Sequence, residues 1–106
     1  MTLDIMRNSA QTGALIKSFR SRDTEKLFQD DVVLRWRSIE RQARRRLAFL
    51  HAATSLNSLA RNPGNRLHRL SGDRAGQYAI WIDDQWRICF RWIDGHAYEV
   101  EIADYH

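Results

Sequence analysis

Apolar residues recur along this chain at two different spacings, and the change of period separates a helical front from a sheet-forming back. Trp36, Ile39, Ala43, Leu47, Leu50 and Ala53 follow one another at steps of three or four, the stripe of an amphipathic helix. The stripe fades near Leu59, because Asn62-Pro63-Gly64-Asn65 cannot continue a helix. Ahead of it, Asp23 is placed to cap a brief helix from Thr24 to about Gln29 that buries Leu27 and Phe28. Ile16-Lys17-Ser18-Phe19 alternates apolar and polar, as a short strand does. Residues 1–14 show no period and little apolar weight, and read as a loose extension.

Beyond the Pro-Gly turn the period becomes two. Leu67-His68-Arg69-Leu70 reads as a short strand or extended loop, followed by the turn-rich Ser71 to Gly76. Tyr78, Ile80 and Ile82 alternate along one strand, Trp86, Ile88, Phe90 and Trp92 along the next, and Tyr98, Val100 and Ile102 along a third. Asp83-Asp84 makes a tight reversal, and Asp94-Gly95 is a strong hairpin signal because both positions tolerate positive φ. The short links predict an antiparallel meander, and the whole an α+β fold with helices packed on one sheet face. The alternating apolar residues should form that covered face. Ala79, Trp81, Arg87, Cys89, Arg91, Glu99, Glu101 and Tyr105 should form the opposite one, polar and exposed, where a ligand would lie.

With 106 residues the chain has room for one core. Its 43% hydrophobic and 28% charged residues exclude wholesale disorder. A single cysteine, Cys89, excludes a disulfide within the chain and a cysteine-built zinc site. The lone cysteine fits a reducing, cytoplasmic setting; no apolar run approaches the roughly 18 residues of a membrane span, and residues 1–14 lack the continuous apolar stretch of a secretory signal. Charge adds a positive clue. Lys17 and Lys26 are the only lysines among 17 basic residues, and the net charge is +4. Arginine pairs bidentately with phosphate and stacks on bases, which points toward a nucleic-acid partner, although an Arg-rich codon bias would give the same composition.

Motifs for most chemistries are missing. Gly72 and Gly76 lack the spacing of a phosphate-cradling loop, there is no HExxH pair or GxSxG elbow, and the four histidines have no ligand-like spacing, so no metal or cofactor is expected. Cys89 lies mid-strand without a base that the sequence places beside it, and reads as a small filler. What remains suits metal-free RNA cleavage, which needs a base for the 2′-hydroxyl, a cation for the charge at phosphorus and an acid for the leaving 5′-oxygen. His68, Arg74, Arg87, Asp104, Tyr105 and His106 supply those groups. The same last three residues would also suit a merely solvated terminus.

Ile16-Lys17-Ser18-Phe19, Pro63-Gly64-Asn65-Arg66-Leu67, Leu70 to Tyr78 with its GDRxGQY pattern, Asp84 to Phe90 and the terminal Val100 to His106 together resemble the HigB toxins of the RelE/ParE superfamily. The likeness runs from about residue 15 to residue 106. It implies a small α+β fold of two N-terminal helices and a short N-terminal strand on a curved antiparallel sheet. It further implies a toxin of a type II toxin–antitoxin system, a ribosome-dependent mRNA endonuclease that cuts A-site codons without a cofactor. By motif match the catalytic positions are His68, Arg87, Asp104, Tyr105 and His106, with Arg66, Arg69, Arg74 and Arg91 as candidate RNA contacts. Arg87 suits the scissile phosphate, Asp104 or His106 the base, His68 the acid, and Tyr105 the stacking or orienting of a base. Some members carry a Lys three residues after the His68 position, where this chain has Ser71; Arg69 or Arg74 is the candidate replacement.

The arginines between Arg35 and Arg46 read as a solvated helix face, with ribosomal RNA as the alternative the resemblance allows. The rival function is a ParE-like inhibitor of DNA gyrase, which the Asp104-Tyr105-His106 ending disfavours, and the third is a binding module without activity. Implied partners are a HigA-like helix-turn-helix antitoxin, the 70S ribosome and mRNA, and operator DNA only through the antitoxin, with no membrane. Leu15 stands where relatives have their initiator Met, so residues 1–14 are expected to be dispensable and native translation to begin at residue 15. The alternative is that Leu3, Ile5 and Met6 pack beside the first strand. Loss of Asp104 to His106 is expected to leave stability nearly unchanged.

Overall fold

The computed structural model describes residues 15–105, so the expectations for residues 1–14 and for His106 lie outside the described residues. Helix α1 spans Arg22–Phe28 and buries Leu27. Its N-cap is Ser21, whose hydroxyl accepts from the Thr24 N–H at 3.2 Å, and Asp23 sits in the first turn instead of capping it. There its negative charge still favours the helix N-terminus, and it pairs with Arg35 at 3.4 Å.

The long apolar stripe folds as three pieces. Leu34–Ile39 is a 3₁₀ turn, Glu40–Ala52 is helix α2, and Leu56–Ala60 is helix α3. The break follows from local hydrogen bonding. Ala53 adopts extended backbone at φ −67°, ψ 135°, and Ser55 and Ser58 cap each other's backbone N–H groups to start a new helix. Trp36, Ala43, Leu47 and Leu50 are fully buried along the stripe, as their spacing requires.

Strands β1 (His68–Arg69), β2 (Tyr78–Trp81), β3 (Trp86–Ile93) and β4 (His96–Asp104) form one antiparallel sheet in the order β1-β2-β3-β4. The Asp94-Gly95 hairpin has φ of 52° and 84°, the two positive values the sequence suggested. The Ile16–Phe19 segment lies parallel to β4 through isolated bridges, Ile16 to Ala97 and Phe19 to Val100. Ile80, Ile82, Ile88, Phe90, Val100 and Ile102 meet the helices in one core. Burying each such side chain stabilises by about 1.5–3 kcal/mol.

Two assignments of facing are corrected. Tyr98 does not join the covered face, because the β3–β4 register shifts between Cys89 and Arg91, so that Tyr98 stands opposite Arg91. The irregularity centres on Glu99, at φ 54°, and lets Ala97 and Val100 both turn inward, fully buried. The opposite face is also not wholly exposed. Segment 70–77 folds back over it, with the Leu70 N–H donating to the Gln77 carbonyl at 2.9 Å. Leu70, Ala79, Cys89 and Ala103 form a second, small apolar cluster there.

Candidate active site

The register of the sheet decides which reactive side chains meet. Trp81 pairs with Arg87, and Arg87 with Ala103. Tyr105, two residues beyond Ala103, therefore shares the face of Arg87. The Arg87 guanidinium carbon lies 4.9 Å from the centre of the Tyr105 ring. His68 reaches the same ring from β1, edge to face, with centroids 6.4 Å apart and planes at 84°. The structure thus joins His68, Tyr105 and Arg87 in a row at one end of the sheet.

Backbone contacts fix this row. The Tyr105 N–H donates to the Gln85 carbonyl at 2.6 Å, and Tyr105 packs on the small apolar cluster. Arg87 Nη1 donates to the carbonyls of Asp83 and, at 3.2 Å, Trp86. The Asp83 carboxylate in turn accepts from the Gln85 and Trp86 N–H groups at 2.9 and 2.8 Å, which closes the turn under the guanidinium. The His68 Nδ1 lies 3.0 Å from the Arg66 carbonyl. The described part of the terminus is therefore the end of a strand, not a loose tail, and its removal would cost packing.

Asp104 is the exception within the row. It pairs with Trp86, in register with core-facing positions, and its carboxylate accepts from Gln85 Nε2 at 3.4 Å. Adjacent in sequence, Asp104 and Tyr105 stand on opposite sides of the strand. His106 lies outside the described residues.

The candidate RNA contacts divide as well. The Arg66 guanidinium lies 4.2 Å over the Trp81 indole, and that of Arg69 5.7 Å over Tyr78. Arg69 pairs with Tyr78 in register, so it stands across β1 from His68. Arg74 donates to Glu101 at 2.9 Å and to Gln77 at 3.1 Å, and Arg91 to Glu99 at 3.2 Å. The hydrogen bond to Glu101 raises the Arg74 pKa against an opposing effect of burial. Burial pushes the Cys89 thiol up, in keeping with an inert filler. Among the described residues, no group of three or more His, Cys, Asp or Glu side chains gathers to hold a metal ion, and no helix is long and apolar enough to cross a membrane. Trp81, Asp83 and Gln85 adjoin or support the row and are not among the catalytic or RNA-binding candidates that the sequence offers. The facing of Trp81 beside Arg87 was the signal for the first, and the other two act through turn geometry.

The family described as RelE-like toxin of type II toxin-antitoxin system HigB matches residues 17–106. Among individual proteins, the chain is 35% identical over 94 residues to an endoribonuclease HigB of Proteus vulgaris, across 87% of this chain and all of that one. It is 36% identical over 81 residues to a toxin HigB-1 of Vibrio cholerae serotype O1, across 74% of this chain and 85% of that one. Among solved structures it is similar to the YoeB-YefM complex from Staphylococcus aureus, with a TM-score of 0.49 and 18% identity, over 88% of this chain and 99% of that one.

Proposed function

Because the chain belongs to the RelE-like HigB toxins of type II toxin–antitoxin systems, we propose that it is an endoribonuclease that halts translation by cutting mRNA on the ribosome. The observation that carries the reading is the row of His68, Tyr105 and Arg87 on one sheet face. In it an imidazole, an aromatic plane and a fixed positive charge stand side by side.

The roles follow from chemistry. Arg87 spends only Nη1 on carbonyls among the described residues. Its other edge is suited to two phosphate oxygens, and its charge to the pentacoordinate transition state. Tyr105 offers a base the face or edge of its ring. His68 as acid protonates the departing 5′-oxygen, and Asp104 or His106 takes the 2′-hydroxyl proton. Arg66, stacked on Trp81 next to Arg87, is the best placed of the candidate RNA contacts. Arg74 and Arg91 already hold carboxylates. The residues from 15 to 106 form the nuclease domain, residues 1–14 are dispensable to it, and the protein acts in the cytoplasm. A helix-turn-helix antitoxin of the HigA type neutralises it and carries the pair to operator DNA.

Primer extension on cellular mRNA after brief expression tests the reading. Codon-phased cuts are expected, lost in Arg87→Ala. Intact mRNA with relaxed or broken plasmid DNA would mean gyrase poisoning, and neither kind of damage would mean a binding module.

A further inference from the structure

We infer that Arg66 is a positioning residue for His68 and acts through its main-chain carbonyl; only the activity arm of this inference rests on the nuclease reading. The carbonyl of Arg66 lies 3.0 Å from His68 Nδ1. A carbonyl oxygen can only accept, so the proton of the neutral ring sits on Nδ1 and the lone pair on Nε2. His68 then exchanges protons with RNA through Nε2 alone, donating there as the imidazolium and accepting there as the neutral ring.

The carbonyl points at the imidazole because of an unusual backbone. Arg66 is left-handed, at φ 47° and ψ 46°, a conformation that side chains with a Cβ rarely adopt. Its surroundings fix it there. Arg66 N–H donates to the Pro63 carbonyl at 3.1 Å, closing the Pro63–Asn65 turn. Asn65, buried to 1% exposure, anchors that turn by donating to the Leu59 carbonyl at 2.9 Å and accepting from Arg46 at 2.7 Å. On the outer side the Arg66 guanidinium lies over Trp81, 4.2 Å from the ring centre. Glycine would reach this backbone more easily, and the N–H bond to Pro63 would still hold it. Sparsely populated backbone held by its surroundings is a feature of working sites. Here it serves a proton-transfer nitrogen two residues along the chain.

A long-range ¹H–¹⁵N correlation spectrum of the ¹⁵N-labelled full chain, in alkaline buffer where imidazole is neutral, reads the tautomer directly. His68→Gln assigns the signal. His68 is expected as the Nδ1–H tautomer. Arg66→Gly, which keeps the left-handed backbone accessible, should retain it. Arg66→Val, whose branched side chain disfavours that backbone, should give a mixture of both tautomers and lower kcat for RNA about tenfold relative to Arg66→Gly, which lacks the same guanidinium. An Nε2–H tautomer in the parent chain, or an unchanged tautomer in a folded Arg66→Val, overturns the inference. Should Arg66→Val lose its circular-dichroism signature of folding, the parent spectrum decides alone. A chain with the Nδ1–H tautomer that cuts no mRNA on ribosomes would uphold the inference and sink the nuclease reading.

Discussion

The open face of the sheet has two ends, and arginine is used differently at each. Near the 82–86 turn, Arg87 meets two carbonyls and a tyrosine ring, and Arg66 an indole. Those partners orient a guanidinium without cancelling its charge. Toward the β3–β4 hairpin, Arg74 and Arg20 hold Glu101 at 2.9 and 3.6 Å, while Arg91 and Arg20 hold Glu99 at 3.2 and 4.0 Å. There the same residue type serves as a clasp that ties segment 70–77 and the N-terminal segment to β4. A basic composition thus becomes a positive surface only where the partners of the arginines are neutral.

Substitutions that invert this division test it. Arg87→Ala should have the largest effect, lowering the cleavage rate by about 10²–10³-fold, since one preorganised charge contact contributes roughly 3–4 kcal/mol to a transition state. Its thermal unfolding should stay close to that of the parent. Tyr105→Ala should lower cleavage by about tenfold or more, and stability by about 1–2 kcal/mol because the ring packs on the Leu70 cluster. Tyr105→Phe should preserve the stability, as a urea titration would show. Glu101→Gln converts the clasp end toward the other kind. It should cost about 1–2 kcal/mol of stability by weakening a charge-assisted bond. Arg74 then becomes available to phosphate, and the slope of log RNA affinity against log salt should steepen by about one. Glu99→Gln should change stability by no more than about 0.5 kcal/mol, because its pairs with Arg20 and Arg91 are exposed.

The N-terminal segment offers a test by pH. His51 Nδ1 accepts from the Ile16 N–H at 3.2 Å, and burial holds the ring's pKa below its usual 6.5. The folded state therefore disfavours the proton, and unfolding takes one up in acid. Stability should be unaffected above about pH 6.5 and should fall as pH drops below it toward the folded-state pKa. Chemical denaturation at stepped pH would show this decline, and His51→Phe should remove it.

Much of this was legible wherever a local pattern carried it. Asp94-Gly95 announced its own backbone, and the steps from Trp36 to Ala53 announced a buried stripe. The break at Ala53 was not legible, because Ala-Ala-Thr-Ser contains no helix breaker and the Ser55–Ser58 capping pair lacks the usual acidic partner. The irregularity at Glu99 was hidden for a similar reason, since a glutamate gives no sign of a positive φ, and with it went the facing of Tyr98 and the burial of Ala97. His68, Arg87 and Tyr105 were recognisable as types and by resemblance. The carboxylates that occupy Arg74 and Arg91 belong to a strand distant from Arg74 in sequence, and residue spacing does not encode which arginine reaches them.

The pairing of Leu15 to Arg20 with β4 also governs how the chain arrives at this shape. The meander can zip from its short turns, but the Ser18 hydroxyl meets the Glu99 N–H across 81 residues of chain. Closing a loop of that length costs about 4 kcal/mol in chain entropy, so this edge should be the slowest to assemble. Until it does, β4 presents nine residues of unpaired backbone along one side, a template for another copy's strand. Refolding yield should therefore fall as protein concentration rises, and a short peptide copied from residues 15–20 should compete for the bare edge and restore it.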